Sequence, residues 1–214
     1  MQEKSVIFDL DGTLTDSGEG IMNCAELALS HFGLPIPPRD QLRVFVGPPL
    51  DETFIKFGVK PEDADEAIRV YRSRYTTVGK FENYPYPGIP ELLQRLKQDG
   101  CRLFVATSKP EGVSKEIMDK FGLSPYFEEI CGATLDGSRG SKADVIAYLL
   151  GKIRNISRAV MVGDTAFDVI GAKYHGIPTI GVAWGYGKVQ DMIDADAVHI
   201  AENPEELYRL IQEV

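Results

Sequence analysis

Val6-Ile7-Phe8-Asp9-Leu10-Asp11-Gly12-Thr13-Leu14-Thr15 decides how the chain is read. Val6, Ile7, Phe8 and Leu10 suit a buried strand, and Asp9 and Asp11 stand where that strand should end. Gly12 and Thr13 then turn the chain. Carboxylates two residues apart on a strand point to one face. Two like charges on that face are costly unless a cation neutralises them. The decapeptide therefore predicts a site for Mg²⁺ and for acid–base or nucleophilic chemistry. An ordinary Asp-Gly turn with solvated carboxylates is the competing reading of these residues alone. An EF-hand loop starting at Asp9 is rejected, because its sixth and twelfth positions would be Leu14 and Gly20 instead of Gly and Glu.

Outward from this stretch, short β-rich runs recur at 102–107, 127–131, 159–162, 179–182 and 197–200. Helical stripes fall between them: Ile89, Leu92, Leu93 and Leu96; Val113, Ile117 and Phe121; Val145, Ile146, Leu149, Leu150 and Ile153. This alternation predicts an α/β fold, a doubly wound, Rossmann-like parallel sheet. Ligands of such sheets bind beyond the carboxyl ends of the strands, and Asp9, Thr107 and Asp164 stand just past such ends.

Between Asp16 and Asn83 the pattern is helical, with no convincing strand. Asp16 with Glu19 predicts the cap of a helix carrying Ile21, Cys24, Ala28 and Phe32, stopped by Gly33 and Pro35. A second stripe runs through Ala64, Ala67, Ile68, Tyr71, Tyr75 and Val78. The expected organisation is a core domain, 1–15 and 84–214, interrupted by a helical domain, 16–83. Tyr84-Pro85-Tyr86-Pro87-Gly88 forms the return, readable both as a hinge and as a rigid turn.

The 214 residues suffice for one large domain or a core with an insertion. A net charge of −9 argues against nonspecific nucleic-acid binding but does not bar an anionic substrate. Cys24, Cys101 and Cys131 form no C-x-x-C pair, so free thiols in a reducing compartment are expected. No signal peptide, apolar span or lipidation motif is read. The expected location is cytoplasmic, with neither nucleic acid nor membrane as partner. Monomer and homodimer both stay open.

Four separated features carry chemistry. They are Asp9 with Asp11; Thr107-Ser108-Lys109 at the end of an apolar strand, where a hydroxyl and N–H groups suit a phosphate; Lys142 at a helix start; and Val162-Gly163-Asp164-Thr165-Ala166-Phe167-Asp168. In this order they resemble the haloacid dehalogenase superfamily of aspartate-nucleophile phosphatases. The helical insertion resembles that superfamily's small helical cap. Val46-Gly47-Pro48-Pro49-Leu50 and Tyr86-Pro87-Gly88 are similar to its phosphoglycolate phosphatase and 5′-nucleotidase-like branches.

The resemblance implies a Mg²⁺-dependent phosphatase acting on a small soluble phosphomonoester. Asp9 would attack phosphorus, and Asp11 would act as acid and then base. Asp9, Asp164 and the carbonyl of Asp11 would hold Mg²⁺, with Asp168 as ligand or orienting its waters. Gly12, Thr107, Ser108 and Lys142 would bind the phosphoryl group, and Arg43 would contact a substrate anion, although a solvated arginine is an equal reading. Lys109 reads as a solvated loop charge and Trp184-Gly185-Tyr186-Gly187 as loop packing beside the site. His31, His175 and His199 form no cluster and receive no role.

Ser141-Lys142-Ala143-Asp144 departs from the Lys-Pro-x-Pro of many relatives. The approach to it, Asp136-Gly137-Ser138-Arg139-Gly140-Ser141, also differs from the usual phosphoglycolate phosphatase pattern and leans toward the 5′-nucleotidase-like branch. A phosphomutase would keep both early aspartates and stays an alternative. A noncatalytic binding protein is disfavoured by the joint retention of Asp9, Asp11, Lys142 and Asp164.

Overall fold

Ser5–Phe8 (β1) lies wholly buried, and its side chains alternate as a pleated strand requires: Val6 and Phe8 join one apolar cluster, Ile7 the other. The computed structural model describes residues 4–153, 156 and 158–214. Residues 1–3, the start of the expected core domain, lie outside the described residues.

Five further strands pair in the same sheet: Arg102–Pro110 (β2), Glu129–Ala133 (β3), Ala159–Gly163 (β4), Thr179–Val182 (β5) and His199–Ala201 (β6). Among the described residues their spatial order is β3-β2-β1-β4-β5-β6, all parallel. The order reverses between β1 and β4, where a doubly wound sheet opens a crevice at its carboxyl ends. Helices Ile89–Gln98 and Pro204–Glu213 bury Leu92, Leu93, Leu96, Leu207 and Ile211 on the Val6/Phe8 face. Helices Lys142–Lys152 and Ala166–Lys173 bury Val145, Ile146, Leu149 and Ala172 on the Ile7 face. The expected α/β architecture is the observed one.

Two strand ends differ from expectation. β3 starts at Glu129, because the Phe127 amide closes the 3₁₀ turn Ser124–Tyr126 by donating to the Ser124 carbonyl. β6 is shifted C-terminally, and Ala197 instead donates to Met192 at the end of the preceding helix.

The chain divides into two units, Met1–Thr15 with Pro85–Val214, and Asp16–Tyr84. The second unit is helical, with Gly18–His31, Leu50–Lys56 and Ala64–Tyr75 as its longer helices. Phe45, Phe54, Tyr71 and Tyr75 pack as successive aromatic pairs within it. Asp16 does not cap the first helix. Ser17 occupies that position, and Asp16 accepts from the Gly18 amide at 3.3 Å. Val78 lies beyond the last helix and is exposed. The two-residue strands Thr15–Asp16 and Tyr84–Pro85 pair with each other; they are too short to leave a period in the sequence. Among the described residues no helix is long and apolar enough to cross a membrane.

Candidate active site

Asp9 leaves the end of β1 with its amide donating to the Val162 carbonyl at 2.9 Å. That bond ties it to the end of β4, which delivers Asp164. The Lys142 ammonium lies 2.7 Å from an oxygen of Asp9 and 2.7 Å from an oxygen of Asp168, and donates to the Ala106 carbonyl at 3.0 Å. All four groups are buried. Lys142 stands in the first turn of its helix, where the dipole opposes a cation. Two local devices offset that. Ser141 and Asp144 form a capping box that satisfies the helix start. The two buried carboxylates then hold the ammonium from the other side.

Asp168 also accepts, on its second oxygen, from the Thr165 amide at 3.1 Å and hydroxyl at 2.8 Å. Both of its oxygens are thus engaged, one in starting its helix and one in aiming Lys142. Asp164 accepts from the Thr13 hydroxyl at 3.2 Å and from the amides of Tyr186 at 2.8 Å and Gly187 at 3.4 Å. Asp9, Asp164 and Asp168 each offer an oxygen, and these oxygens lie within 4.8 Å of one another.

Burial pushes the Asp9 carboxyl up to about 6, against the pull of Lys142 and the Thr107 hydroxyl. Burial, then Asp168 and Asp9, push Asp164 up to about 7. Burial works against the Lys142 charge, but Asp168 and Asp9 prevail and hold the ammonium above its ordinary range. Of the three buried carboxylates, Asp9 and Asp168 share one lysine, and Asp164 has none among the described residues. An all-oxygen donor set with uncompensated negative charge fits a hard divalent cation.

The Asp11 carboxylate is not part of this cluster. The strand has ended at Phe8, and the amides of Thr13, Leu14 and Thr15 all turn back onto the Leu10 carbonyl. Asp9 and Asp11 therefore do not share a strand face, and each meets its own lysine. Lys109 reaches Asp11 at 2.5 Å. This corrects the solvated-charge reading of Lys109, whose side chain is only 6% exposed. The register shift of β2 between Thr107 and Pro110 accompanies the inward turn of Lys109. The other oxygen of Asp11 has no hydrogen-bond partner among the described residues.

Thr107 is buried, hydrogen-bonds Asp9, and accepts from the Lys109 amide at 3.3 Å. Ser108 is exposed beside it. The structure thus brings together Asp9, Thr107, Lys142, Asp164 and Asp168, with Asp11 and Lys109 as an adjoining pair. Arg43 belongs to the helical unit, where it is exposed between the short helix Arg39–Leu42 and the turn that follows.

The segment 184–187 does more than fill a loop. Trp184 donates to the Thr13 carbonyl at 3.2 Å, and the two amides beyond it hold Asp164. The glycines make this approach possible: a Cβ at Gly185 would stand 2.3 Å from the Asp164 side chain, and one at Gly187 2.0 Å from its carbonyl. The paired glycines after an apolar strand were the available signal.

Gly12 combines φ +78° with a position whose Cβ would lie 2.2 Å from an Asp164 oxygen. Gly12→Ala is expected to destabilise the chain by about 1–3 kcal/mol and to displace Asp164. Gly33→Ala is the control, since Gly33 also has positive φ but nothing within 4 Å of its Cβ position. Thermal melts should show the larger loss at Gly12; equal losses would remove the close approach as its cause.

A sequence model for haloacid dehalogenase-like hydrolases matches residues 6–182. A Mycobacterium tuberculosis protein named tyrosine-protein kinase PtkA is 50% identical over 190 residues, covering 88% of this chain and 65% of that protein. The chain thus spans about two thirds of that relative's length. A Pseudomonas aeruginosa 5′-nucleotidase is 39% identical, covering 88% of this chain and 86% of the relative. A Caulobacter vibrioides phosphoglycolate phosphatase is 34% identical, with coverages of 85% and 80%. A solved structure, described as a predicted phosphatase from Clostridium acetobutylicum, superposes with a TM-score of 0.93 at 41% identity, covering 100% of both chains.

Proposed function

The chain belongs to the haloacid dehalogenase-like hydrolase family, and from that premise we propose that it is a Mg²⁺-dependent phosphatase of small phosphomonoesters working through a phosphorylated Asp9. The observation that carries this reading is the buried Asp9 carboxylate, 2.7 Å from Lys142 among two further acids. An Asp9 oxygen attacks phosphorus, a P–O bond forms to Asp9, and the ester P–O bond breaks. Asp11 gives the departing oxygen a proton from its unpartnered oxygen. It then takes a proton from the water that attacks the phosphoryl-Asp9, releasing inorganic phosphate and restoring Asp9. Lys142 and Thr107 hold the phosphoryl oxygens, with Gly12 and Ser108 at the rim, and Lys109 keeps Asp11 oriented. Asp9, Asp164 and the Asp11 carbonyl would hold Mg²⁺, with Asp168 beside it, and the ion would supply charge neutralisation at the phosphoryl group.

Phosphate release from a panel of phosphomonoesters, with and without Mg²⁺, tests this reading. Phosphoglycolate is the first candidate from the motif resemblance. Nucleoside 5′-monophosphates are favoured by the Asp136-Gly137-Ser138-Arg139-Gly140-Ser141 approach to the lysine and by the relative at 39% identity. A tyrosyl acceptor or phosphotyrosine belongs on the panel because of the name of the relative at 50% identity. Mg²⁺-dependent release supports the phosphatase, and the best substrate names its branch. Sugar-phosphate isomerisation requiring a bisphosphate activator would make it a phosphomutase instead. No turnover of any kind would leave only a binding role. With three free thiols, all buried, we place the protein in the cytoplasm.

We assign substrate choice to the helical domain, 16–83. Arg43→Ala should raise KM on the preferred substrate about tenfold with kcat nearly unchanged. An unchanged KM on every accepted substrate removes Arg43 from the site.

Metal binding has its own readout in stability. Saturating Mg²⁺ should raise the melting temperature by about 5–10 °C. Asp164→Asn should abolish that rise while leaving the metal-free chain at least as stable, since it removes a buried like charge. The pH dependence has a definite sign. Asp9 and Asp164 titrate higher folded than unfolded, so between about 4 and 7 the unfolded chain binds fewer protons. The metal-free protein is therefore expected to gain stability as pH falls through that window. A metal-free melting temperature that falls with falling pH there would contradict the burial of these acids.

A further inference from the structure

The loop 134–141 joins β3 to the helix that carries Lys142, and it closes on itself. The Thr134 amide donates to the Arg139 carbonyl at 3.1 Å, and the Arg139 amide to the Thr134 hydroxyl at 3.0 Å. The Arg139 side chain then reaches three other elements. Its Nε donates to the Gly132 carbonyl in β3 at 2.7 Å, and its Nη2 to the Glu111 carboxylate at 2.9 Å. Its guanidinium carbon lies 3.7 Å from the centre of the Tyr148 ring, on the Lys142 helix. Glu111 opens the helix Glu111–Lys120 directly after Lys109-Pro110. It also accepts from Lys115 at 2.6 Å and from the Gly132 amide at 3.4 Å.

We propose that Arg139, acting through Glu111, is a positioning residue for Lys109, and so for the proton that Asp11 gives the leaving oxygen. This rests on the phosphatase reading above. Lys109 needs such a tie because the ladder does not supply one. β2 loses its register with β3 between Thr107 and Pro110, and Lys109 turns inward within that gap. The backbone there rests against Gly132, where a Cβ would lie 2.5 Å from the Lys109 carbonyl and 2.7 Å from Glu111. Close packing of this kind resists approach but not separation. The Arg139 fork resists separation, because one planar group bonds Gly132 and Glu111 at once. The two side chains are 17% and 20% exposed, so the pair is better shielded from water than a surface ion pair. Lys142 does not need this tie: Asp9, Asp168 and the Ala106 carbonyl hold its ammonium directly.

Two readouts on the full chain test the proposal, with Arg139→Gln and Glu111→Gln approaching the pair from either side. Melting curves check that each variant is folded, and either folded variant suffices. The first readout is acetic anhydride labelling of lysines, read by mass spectrometry without metal or substrate. Lys109 should be labelled at least about tenfold faster than in the parent, and Lys142 should stay protected. The second is kcat/KM on p-nitrophenyl phosphate, whose phenolate leaves without a proton, and on the faster of phosphoglycolate and a nucleoside 5′-monophosphate, whose alkoxides need one. This ratio stops at departure of the leaving group, so the later hydrolysis step, common to all substrates, does not enter it. The alkyl substrate should lose about 30–100-fold and the aryl one less than about threefold. Arg102→Gln breaks a pair with Glu128 at the other end of β2 and should change neither readout. Lys109 labelled no faster than in the parent overturns the proposal. So do equal losses on both substrates, which mark a residue that only supports the fold. A parent that turns over neither substrate sinks the phosphatase reading, and the labelling still decides whether Arg139 positions Lys109.

Discussion

Asp9→Asn is expected to lower kcat on every accepted substrate by roughly 10⁴–10⁶-fold, the loss that follows removal of a nucleophile. The substitution keeps shape and volume, so the loss reads chemistry and not packing. An amide oxygen is a poor nucleophile, and no neighbour replaces it. The Asp168 carboxylate is occupied by Lys142 and Thr165, and Asp164 is held by Thr13 and the Tyr186 amide. The metal-free fold should survive. Asp9 is buried with a carboxyl pushed up to about 6, so a neutral side chain there relieves a desolvation penalty. Lys142 keeps Asp168 as its partner at 2.7 Å. Steady-state phosphate release and a thermal melt check both halves. Residual turnover within tenfold of the parent would mean that Asp9 is not the nucleophile.

Lys142→Met is expected to damage stability as well as activity. It removes the ammonium that faces both Asp9 and Asp168, and leaves three carboxylates buried together. Breaking a buried ion pair by removing one partner typically costs about 3–5 kcal/mol, because the remaining charge is uncompensated. Turnover should fall about 10³-fold or more from the lost clamp on the phosphoryl group. The stranded carboxylates take up protons readily, so the variant should recover stability as pH falls, more steeply than the parent. Adding Asp168→Asn to Lys142→Met should restore much of the stability without restoring activity. That double-variant cycle separates the structural pairing from the catalytic one. Denaturant titration measures it. A Lys142→Met chain within about 0.5 kcal/mol of the parent would show that the cluster is not held by this lysine.

The sheet was legible because buried parallel strands leave dense apolar runs and their helices leave stripes. Val6–Phe8, 102–107 and 179–182 are such runs. The ends of β3 and β6 were less legible, since they depend on which carbonyl captures the amides of Phe127 and Ala197. Among the site residues, Asp9, Thr107, Lys142, Asp164 and Asp168 were singled out in the sequence, and in the structure they lie together. Their partners were not. Lys109 reads as one more loop charge until the irregularity of β2 is seen beside its contact with Asp11. Asp11 looked like a companion of Asp9 on a strand face, because spacing alone does not say that the strand ends at Phe8. The amides of Tyr186 and Gly187 carry no side-chain signature at all; their role is set by glycines that let the backbone approach Asp164.

Trapping the intermediate tests the central claim most directly. The parent enzyme is mixed with its best substrate and Mg²⁺, quenched in acid within a single turnover, digested, and analysed by mass spectrometry. The account predicts a phosphoryl group on the peptide spanning Ser5 to Thr15, acid-stable, base-labile, located on Asp9 and absent from Asp9→Asn. Mg²⁺-dependent turnover with the phosphoryl group on another residue, or with no phosphoryl-enzyme at any quench time and inversion of configuration at phosphorus where two successive displacements would retain it, would contradict it.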